Sequence, residues 1–227
     1  MAKKLYWDNK EDIKLVLAAL NKDEVLISST DTIYGFLANI TKSAWQKILE
    51  LKQVSSPRPF LILISLSNVL DRLAYFVDIS QFNEKTLNFI NICWPGPVTF
   101  IFSAKKELPL FLSSPVSSGE FSNQKRTIAL RCPEHAGLQS ILGKYKGLFS
   151  TSANKSKKPA PSTFNQISQD LLNQIKYIVV DAQESSIVQS STLIDISNPD
   201  YTLEFPFKII RKGAYLEEKL YNMYNKA

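Results

Sequence analysis

Seven glycines, two cysteines and a single histidine in 227 residues remove several classes of site at once. No GxxxxGKS/T loop and no GxGxxG fingerprint occurs, so neither a P-loop nor a dinucleotide-binding turn is available to receive phosphates. Cys93 lies in an apolar helix-like run and Cys132 at a strand end, and with only His135 beside them no zinc spacing exists. Two such cysteines make no disulfide framework either. His135 follows Pro133 and Glu134 in a helix-start pattern, so the expectation is a surface residue at a helix N-terminus rather than a catalytic base. No stretch approaches eighteen continuous apolar residues, and the opening MAKKLYWDNKED turns polar and acidic early. The expectation is therefore a cytoplasmic protein with neither signal peptide nor membrane span.

What is present is an ordinary globular balance, 44% hydrophobic and 21% charged, with a net charge of +6. That excess points to an anionic partner, a nucleotide or a nucleic acid. Lys155, Lys157 and Lys158, and Lys105, Lys106, Lys125 and Arg126, cluster in polar segments. No basic helix carries an apolar face suited to a membrane. Apolar runs that suit buried strands occur at 25–29, 60–66, 98–103, 127–131, 148–151, 177–181, 191–196 and 207–211. Helical spacing marks 10–21, 42–51, 82–92, 135–145, 163–175 and 214–224. The alternation predicts an α/β or α+β fold with a mixed sheet, and no linker divides the chain, so one domain is expected. The Ser-rich stretch 113–123 reads as an exposed loop.

The segment 28–36, SSTDTIYGF, places hydroxyls around Asp31 and Gly35 just after an apolar strand signal. That is the strand end at which an open α/β sheet keeps its ligand. A polar turn is the plainer reading of the same residues. Thr32, Lys52 with Arg58, Thr127 with Arg131, Ser152 with Asn154, Ser191 with Thr192, and Arg211 add hydroxyl, amide and cationic groups at other predicted element ends. Such a set recognises phosphates and carboxylates by charge-assisted hydrogen bonds and suits catalysis by positioning and charge neutralisation. Each member has a duller role: Lys52 as a helix C-terminal charge, Ser152 and Asn154 as caps, Arg131 and Arg211 as surface charges.

In order, STDTIYGF, LKQVSSPRPFLILI, WPGPVTFIF, TIALRCP, STSANKS, SSTLIDI and IIRKGA resemble successive motifs of the YrdC/Sua5 family, over residues 25 to about 215. The resemblance implies one YrdC-like domain spanning 1–227, with its motifs within about 10–215: a twisted, mixed, open sheet flanked by helices around a concave basic cavity. It implies a threonylcarbamoyl-AMP synthase, which joins L-threonine, bicarbonate and ATP into threonylcarbamoyl-adenylate and pyrophosphate for the t6A modification of tRNA. Thr32, Arg131 and Ser191 would then bind L-threonine. Lys52 and Arg58 would face the ATP phosphates as the catalytic pair, with Thr127, Ser152, Asn154 and Arg211 completing the nucleotide site. Asp31 and Tyr34 are motif residues. Magnesium would accompany ATP, no protein side chain is assigned to it, and a separate threonylcarbamoyl transferase would take the product to tRNA. Contact of this chain with tRNA or double-stranded RNA is left open.

The match departs at four places. Val54 stands where the K-x-R motif has arginine, Ser29 where proline is usual, and Lys157 where glycine follows SAN-x-S. Gln189 lies where glycine commonly precedes the ST pair. The chain also resembles the short members, without the added C-terminal domain of the long type. Val54 keeps a second reading alive, a diverged member that binds nucleotide or RNA without synthase activity. A third, the carbamoyl-adenylate chemistry of hydrogenase maturation proteins, lacks the acylphosphatase-like and zinc-finger segments.

Overall fold

The computed structural model describes residues 2–54, 59–115, 126–182, 189–198 and 205–227. In chain order the elements are β1 (Lys3–Tyr6), α1 (Lys10–Leu20), β2 (Leu26–Ser28), β3 (Gly35–Asn39), α2 (Lys42–Lys52), β4 (Leu61–Leu63), α3 (Val69–Phe76), α4 (Glu84–Cys93), β5 (Val98–Ser103), β6 (Ser114–Pro115), β7 (Arg126–Arg131), α5 (Ala136–Leu142), β8 (Leu148–Ser152), α6 (Gln169–Gln174), β9 (Tyr177–Val180), β10 (Thr192–Asp195), β11 (Lys208–Arg211) and α7 (Glu217–Asn225). They form two compact units, one of Met1–Pro57 with His135–Gln189, the other of Arg58–Glu134 with Ser190–Ala227.

In the first unit the strands run β1-β9-β2-β3-β8. β1, β9 and β2 are parallel, and β3 is antiparallel to both β2 and β8. Parallel strands buried on both faces read as near-continuous apolar runs, and Leu26, Ile27, Ile178, Val179 and Val180 are buried accordingly. The crossover between β1 and β2 is α1. Asn9 starts it by accepting from the Glu11 and Asp12 amides, and Val16, Ala19 and Leu20 form its inner stripe. Thr41 caps α2 in the same way through the Ala44 amide.

The strands of the second unit run β4-β7-β5-β10-β11, with β6 on the first residues of β7. β4 with β7 and β5 with β10 are parallel; β5 with β7 and β10 with β11 are antiparallel. Its core is aromatic: Phe89 of α4 stacks on Phe207 at 5.2 Å and meets Tyr224 of α7 edge-on at 5.4 Å, while Trp94 packs on Phe100 at 5.3 Å.

The α/β alternation with mixed pairing agrees with the sequence. Three differences have local causes. β1 carries one buried side chain, Leu5, between exposed lysines and Tyr6, too little alternation to register as a strand. β3 is almost wholly buried although its first residue closes the polar segment, so one motif contributes both a loop and a strand. The helix expected over 163–175 divides into a 3-10 turn, Phe164–Gln166, and α6, because Ser168 caps the latter through the Leu171 amide. The helix α3 had no counterpart in the reading of the sequence. Of the Ser-rich loop, 116–123 lies outside the described residues. No helix among the described residues is long and apolar enough to cross a membrane.

Candidate functional site

The first unit buries a run of polar residues. Ser29, Thr30, Asp31 and Thr32 are each less than a tenth exposed, and the Thr30 and Thr32 hydroxyls are used to fold the loop on itself. Thr30 Oγ1 donates to the Ile33 carbonyl at 2.8 Å and accepts from the Thr32 amide at 3.0 Å. Its contact with Thr32 Oγ1, also 3.0 Å, therefore has Thr32 as donor. Beyond the loop, the Tyr34 amide donates to Pro161 O and the Ala153 amide to Tyr34 O. The loop is thereby fixed to the segment that follows β8.

Lys52 ends α2 with its side chain buried. Its ammonium donates to Ser152 O at 2.7 Å, Asn154 O at 3.0 Å and Asn154 Oδ1 at 3.2 Å, and lies 5.7 Å from the centre of the Phe36 ring. Burial of a cation is costly unless its donors are met, and here three oxygens meet three protons. Ser152 Oγ donates to Asn154 Oδ1 at 2.5 Å, and Asn154 Nδ2 donates to Lys158 O. Neither residue caps a helix; they make one polar knot around the buried Lys52 ammonium. Lys157, where the motif usually has glycine, adopts φ of 65°, the left-handed region that glycine enters without steric cost.

The second unit gathers two guanidinium groups. Arg131 ends β7 with 2% exposure, and Ser191, which precedes β10, is 3% exposed. Ser191 Oγ is 2.7 Å from Thr99 Oγ1 of β5. Arg211, at the end of β11, donates through Nη2 to Ser191 O at 2.9 Å and lies 3.4 Å from Ser191 Oγ. The residue as a whole is exposed, but its guanidinium reaches inward. Burial first, and the like charge of Arg131 second, draw its pKa below the usual arginine value. Arg211 and the Ser191–Thr99 hydroxyl pair, with the Arg131 charge near enough to act on Arg211, make a seat for an anion. The seat is fixed from behind: Thr192 Oγ1 donates to Tyr215 O and accepts from the Tyr215 amide, both at 2.9 Å, and the Ala214 amide donates to Ser190 O. A Cβ on Gly213 would stand 2.4 Å from Ser190 O and 2.5 Å from the Ser191 carbonyl carbon.

Thus Lys52, Ser152 and Asn154 come together in one unit, and Arg131, Ser191 and Arg211 in the other. Thr127 does not join the latter group; it is the second residue of β7, opposite Ser103 and Ser114, four residues or about 13 Å along the strand from Arg131. Arg58 lies outside the described residues. Val54 is half-buried and gives its amide to Leu49 O, ending α2. His135 caps α5 as its position suggested, but it is no surface residue: its side chain is 7% exposed and its Nε2 lies 3.0 Å from Asp181 Oδ2. Sequence reasoning missed Thr99 and Asp181. A lone threonine in the buried run VTFIFS was the available signal for the former, whereas the latter's partner is 46 residues away.

The Sua5/YciO/YrdC family model, described as telomere recombination, matches residues 18–213. The threonylcarbamoyl-AMP synthase of Vibrio campbellii is 31% identical over 174 residues, covering 74% of this chain and 86% of that protein. Among solved structures, Pyrococcus abyssi Sua5 complexed with L-threonine superposes with a TM-score of 0.76 at 23% identity, covering 98% of this chain and 60% of that one. Escherichia coli YciO gives 0.71 at 21%, covering 94% and 97%. Each of the seven motif segments falls within or across the matched span, and the chain belongs to the Sua5/YciO/YrdC family.

Proposed function

We propose that the protein is a threonylcarbamoyl-AMP synthase, forming L-threonylcarbamoyladenylate and pyrophosphate from L-threonine, bicarbonate-derived CO2 and ATP for t6A modification of tRNA. The observation that carries this reading is the cluster of Arg131, Arg211, Ser191 and Thr99, an anion seat built of two guanidinium groups and a hydroxyl pair. The synthase name of the Vibrio campbellii relative and the L-threonine complex of Pyrococcus abyssi Sua5 support it.

In the reaction the threonine amine adds to CO2, giving a carbamate and releasing a proton. A carbamate oxygen then attacks the α-phosphorus of ATP, and pyrophosphate departs with the electrons of the broken P–O bond. No dedicated base is required, so the protein's task is positioning and charge. Arg131 and Ser191 bind the threonine carboxylate, and Thr32 offers its hydroxyl to the same substrate. Arg211, Thr127, Ser152, Asn154, Lys52 and Arg58 are assigned to ATP by the motifs to which they belong. Lys52 acts through its charge and through the loop it holds, since its three protons already meet oxygens. Magnesium enters with ATP as part of the substrate. Among the described residues no group of three His, Cys, Asp or Glu side chains could hold a metal ion. The product then passes to a threonylcarbamoyl transferase that acts on tRNA.

The test is pyrophosphate release from ATP and bicarbonate, with and without L-threonine. Threonine-dependent release is expected, and Arg131→Gln should lower kcat/KM for L-threonine about 100-fold, the loss of charge-assisted hydrogen bonds worth roughly 2–3 kcal/mol. ATP binding without any release would instead identify a nucleotide-binding family member that lacks synthase activity. Val54, uncharged where the motif has arginine, is the observation that favours that second reading.

A further inference from the structure

The carboxyl ends of β1, β9 and β2 come out side by side, with Tyr6 opposite Val180 and Ser28 opposite Val179. Each strand is followed by one residue of a group that the reaction does not use: buried Trp7 and Ser29, and part-exposed Asp181. The Trp7 amide donates to Val180 O at 3.1 Å and the Ser29 amide to Val179 O at 2.9 Å. His135 completes the group from α5. Its Nδ1 accepts the Leu138 amide at 3.1 Å, which places the ring proton on Nε2, and Nε2 donates to Asp181 Oδ2 at 3.0 Å. Trp7 closes over the imidazole edge-on at 5.8 Å. It also presses on the first turn of α5, where a Cβ on Gly137 would lie 2.4 Å from the indole.

His135 is therefore no proton shuttle. Both ring nitrogens are engaged and the side chain is all but sealed from solvent. What it does is fix Asp181. Burial works to raise the Asp181 pKa, but the hydrogen bond from His135 and the facing Ser29 hydroxyl outweigh it and hold the carboxyl below its ordinary value. The Ser29 hydroxyl faces this carboxylate yet falls short of hydrogen-bond geometry, and it is buried with no other partner. An unmet buried hydroxyl is costly, and the Asp181 carboxylate is the acceptor that faces Ser29. Ser29 is the first residue of the loop that carries Thr32.

We propose that His135 and Asp181 are positioning residues, which hold the Ser29–Tyr34 loop in place and thereby set the affinity for L-threonine. The link to affinity rests on the synthase reading, in which Thr32 meets that substrate; the link to the loop does not. His135→Asn separates the two duties of the imidazole, because asparagine is a good N-cap but is too short to reach Asp181. Asp181→Ala removes the other partner. Asp181→Asn keeps an acceptor for Nε2–H and a partner for Ser29.

The first experiment is amide hydrogen exchange on the full chain without ligands. In His135→Asn and Asp181→Ala the Ser29 and Thr32 amides should exchange about tenfold faster, with Leu138 unchanged in His135→Asn. In turnover, both variants should raise KM for L-threonine about tenfold and leave kcat and KM for ATP within about twofold, and Asp181→Asn should restore KM. Unchanged exchange over 29–34, or faster exchange spread uniformly over the first unit, would overturn the positioning role. If the wild-type protein shows no threonine-dependent turnover, the synthase reading has failed and the exchange data alone decide the role of the pair. A working enzyme with loosened loop amides and an unaltered KM would sever the loop from threonine affinity and overturn the proposal in that form.

Discussion

Lys157 holds φ of 65° where a side chain gains nothing from being there, since it is exposed and its backbone conformation is the one glycine takes freely. Lys157→Gly should therefore stabilise the protein by about 0.5–1 kcal/mol, the relief of the left-handed strain exceeding glycine's extra entropy in the unfolded chain. Urea titration would read it as a higher midpoint at an unchanged slope. Cys93 shows the opposite relation to its surroundings. Burial in α4 pushes its thiol up to about 12 from an ordinary 9.0, the Lys219 charge opposing only weakly. Such a thiol stays protonated near neutrality. Iodoacetamide at pH 8 should leave Cys93 unmodified in the folded protein and alkylate it once the chain is unfolded. The sign for stability follows: below pH 9 the group has no effect, and as pH climbs from 9.0 toward about 12 it withdraws stability, because only the unfolded chain ionises it freely.

Elements decide where these residues stand. β7 delivers Arg131 to the anion seat and Thr127 to the other end of the same strand, a separation fixed by the strand rise and by nothing in either residue. The turn after β11 matters as much, since Gly213 lets residues 213–215 lie against 190–192. Gly213→Ala would force a Cβ into the backbone of Ser190 and Ser191. The expected cost is about 1–3 kcal/mol in stability, together with a KM for L-threonine raised more than tenfold as Ser191 shifts away from Arg211 and Thr99. A calorimetric melt and initial-rate kinetics on the same preparation would check both, and an unperturbed KM would show that the seat does not depend on this turn. Likewise, Gly137→Ala would collide with Trp7 and loosen α5 in the first unit.

Taken over the whole chain, the net charge of +6 acts on ATP before any contact forms. ATP carries several negative charges, whereas L-threonine is a zwitterion with none net, so only the nucleotide is steered. Raising salt from about 50 to 500 mM, which shortens the screening length to a few ångströms, should lower kcat/KM for ATP several-fold and hardly change that for L-threonine. Chelation by EDTA should abolish pyrophosphate release and leave the thermal melt unchanged. On the proposed reading magnesium belongs to the substrate, whereas a resident structural ion would betray itself by a lowered melting temperature.

Most of the strands and helices, though not β1, β3, β6 or α3, the polar strand end at 28–36 and the identity of the cationic and hydroxyl residues were legible in the sequence, because periodicity and local chemistry act over a few positions. Contacts across long separations were not. Lys52 finds its oxygens about a hundred residues away, Ser191 finds Thr99 across 92, and His135 finds Asp181 across 46. Likewise the imidazole that looked superficial is buried, since Trp7 and α5 close over it only when β1 pairs with β9. Local spacing wrote the elements and the chemical groups; which groups meet, and which are sealed from water, was decided by strand pairing and packing.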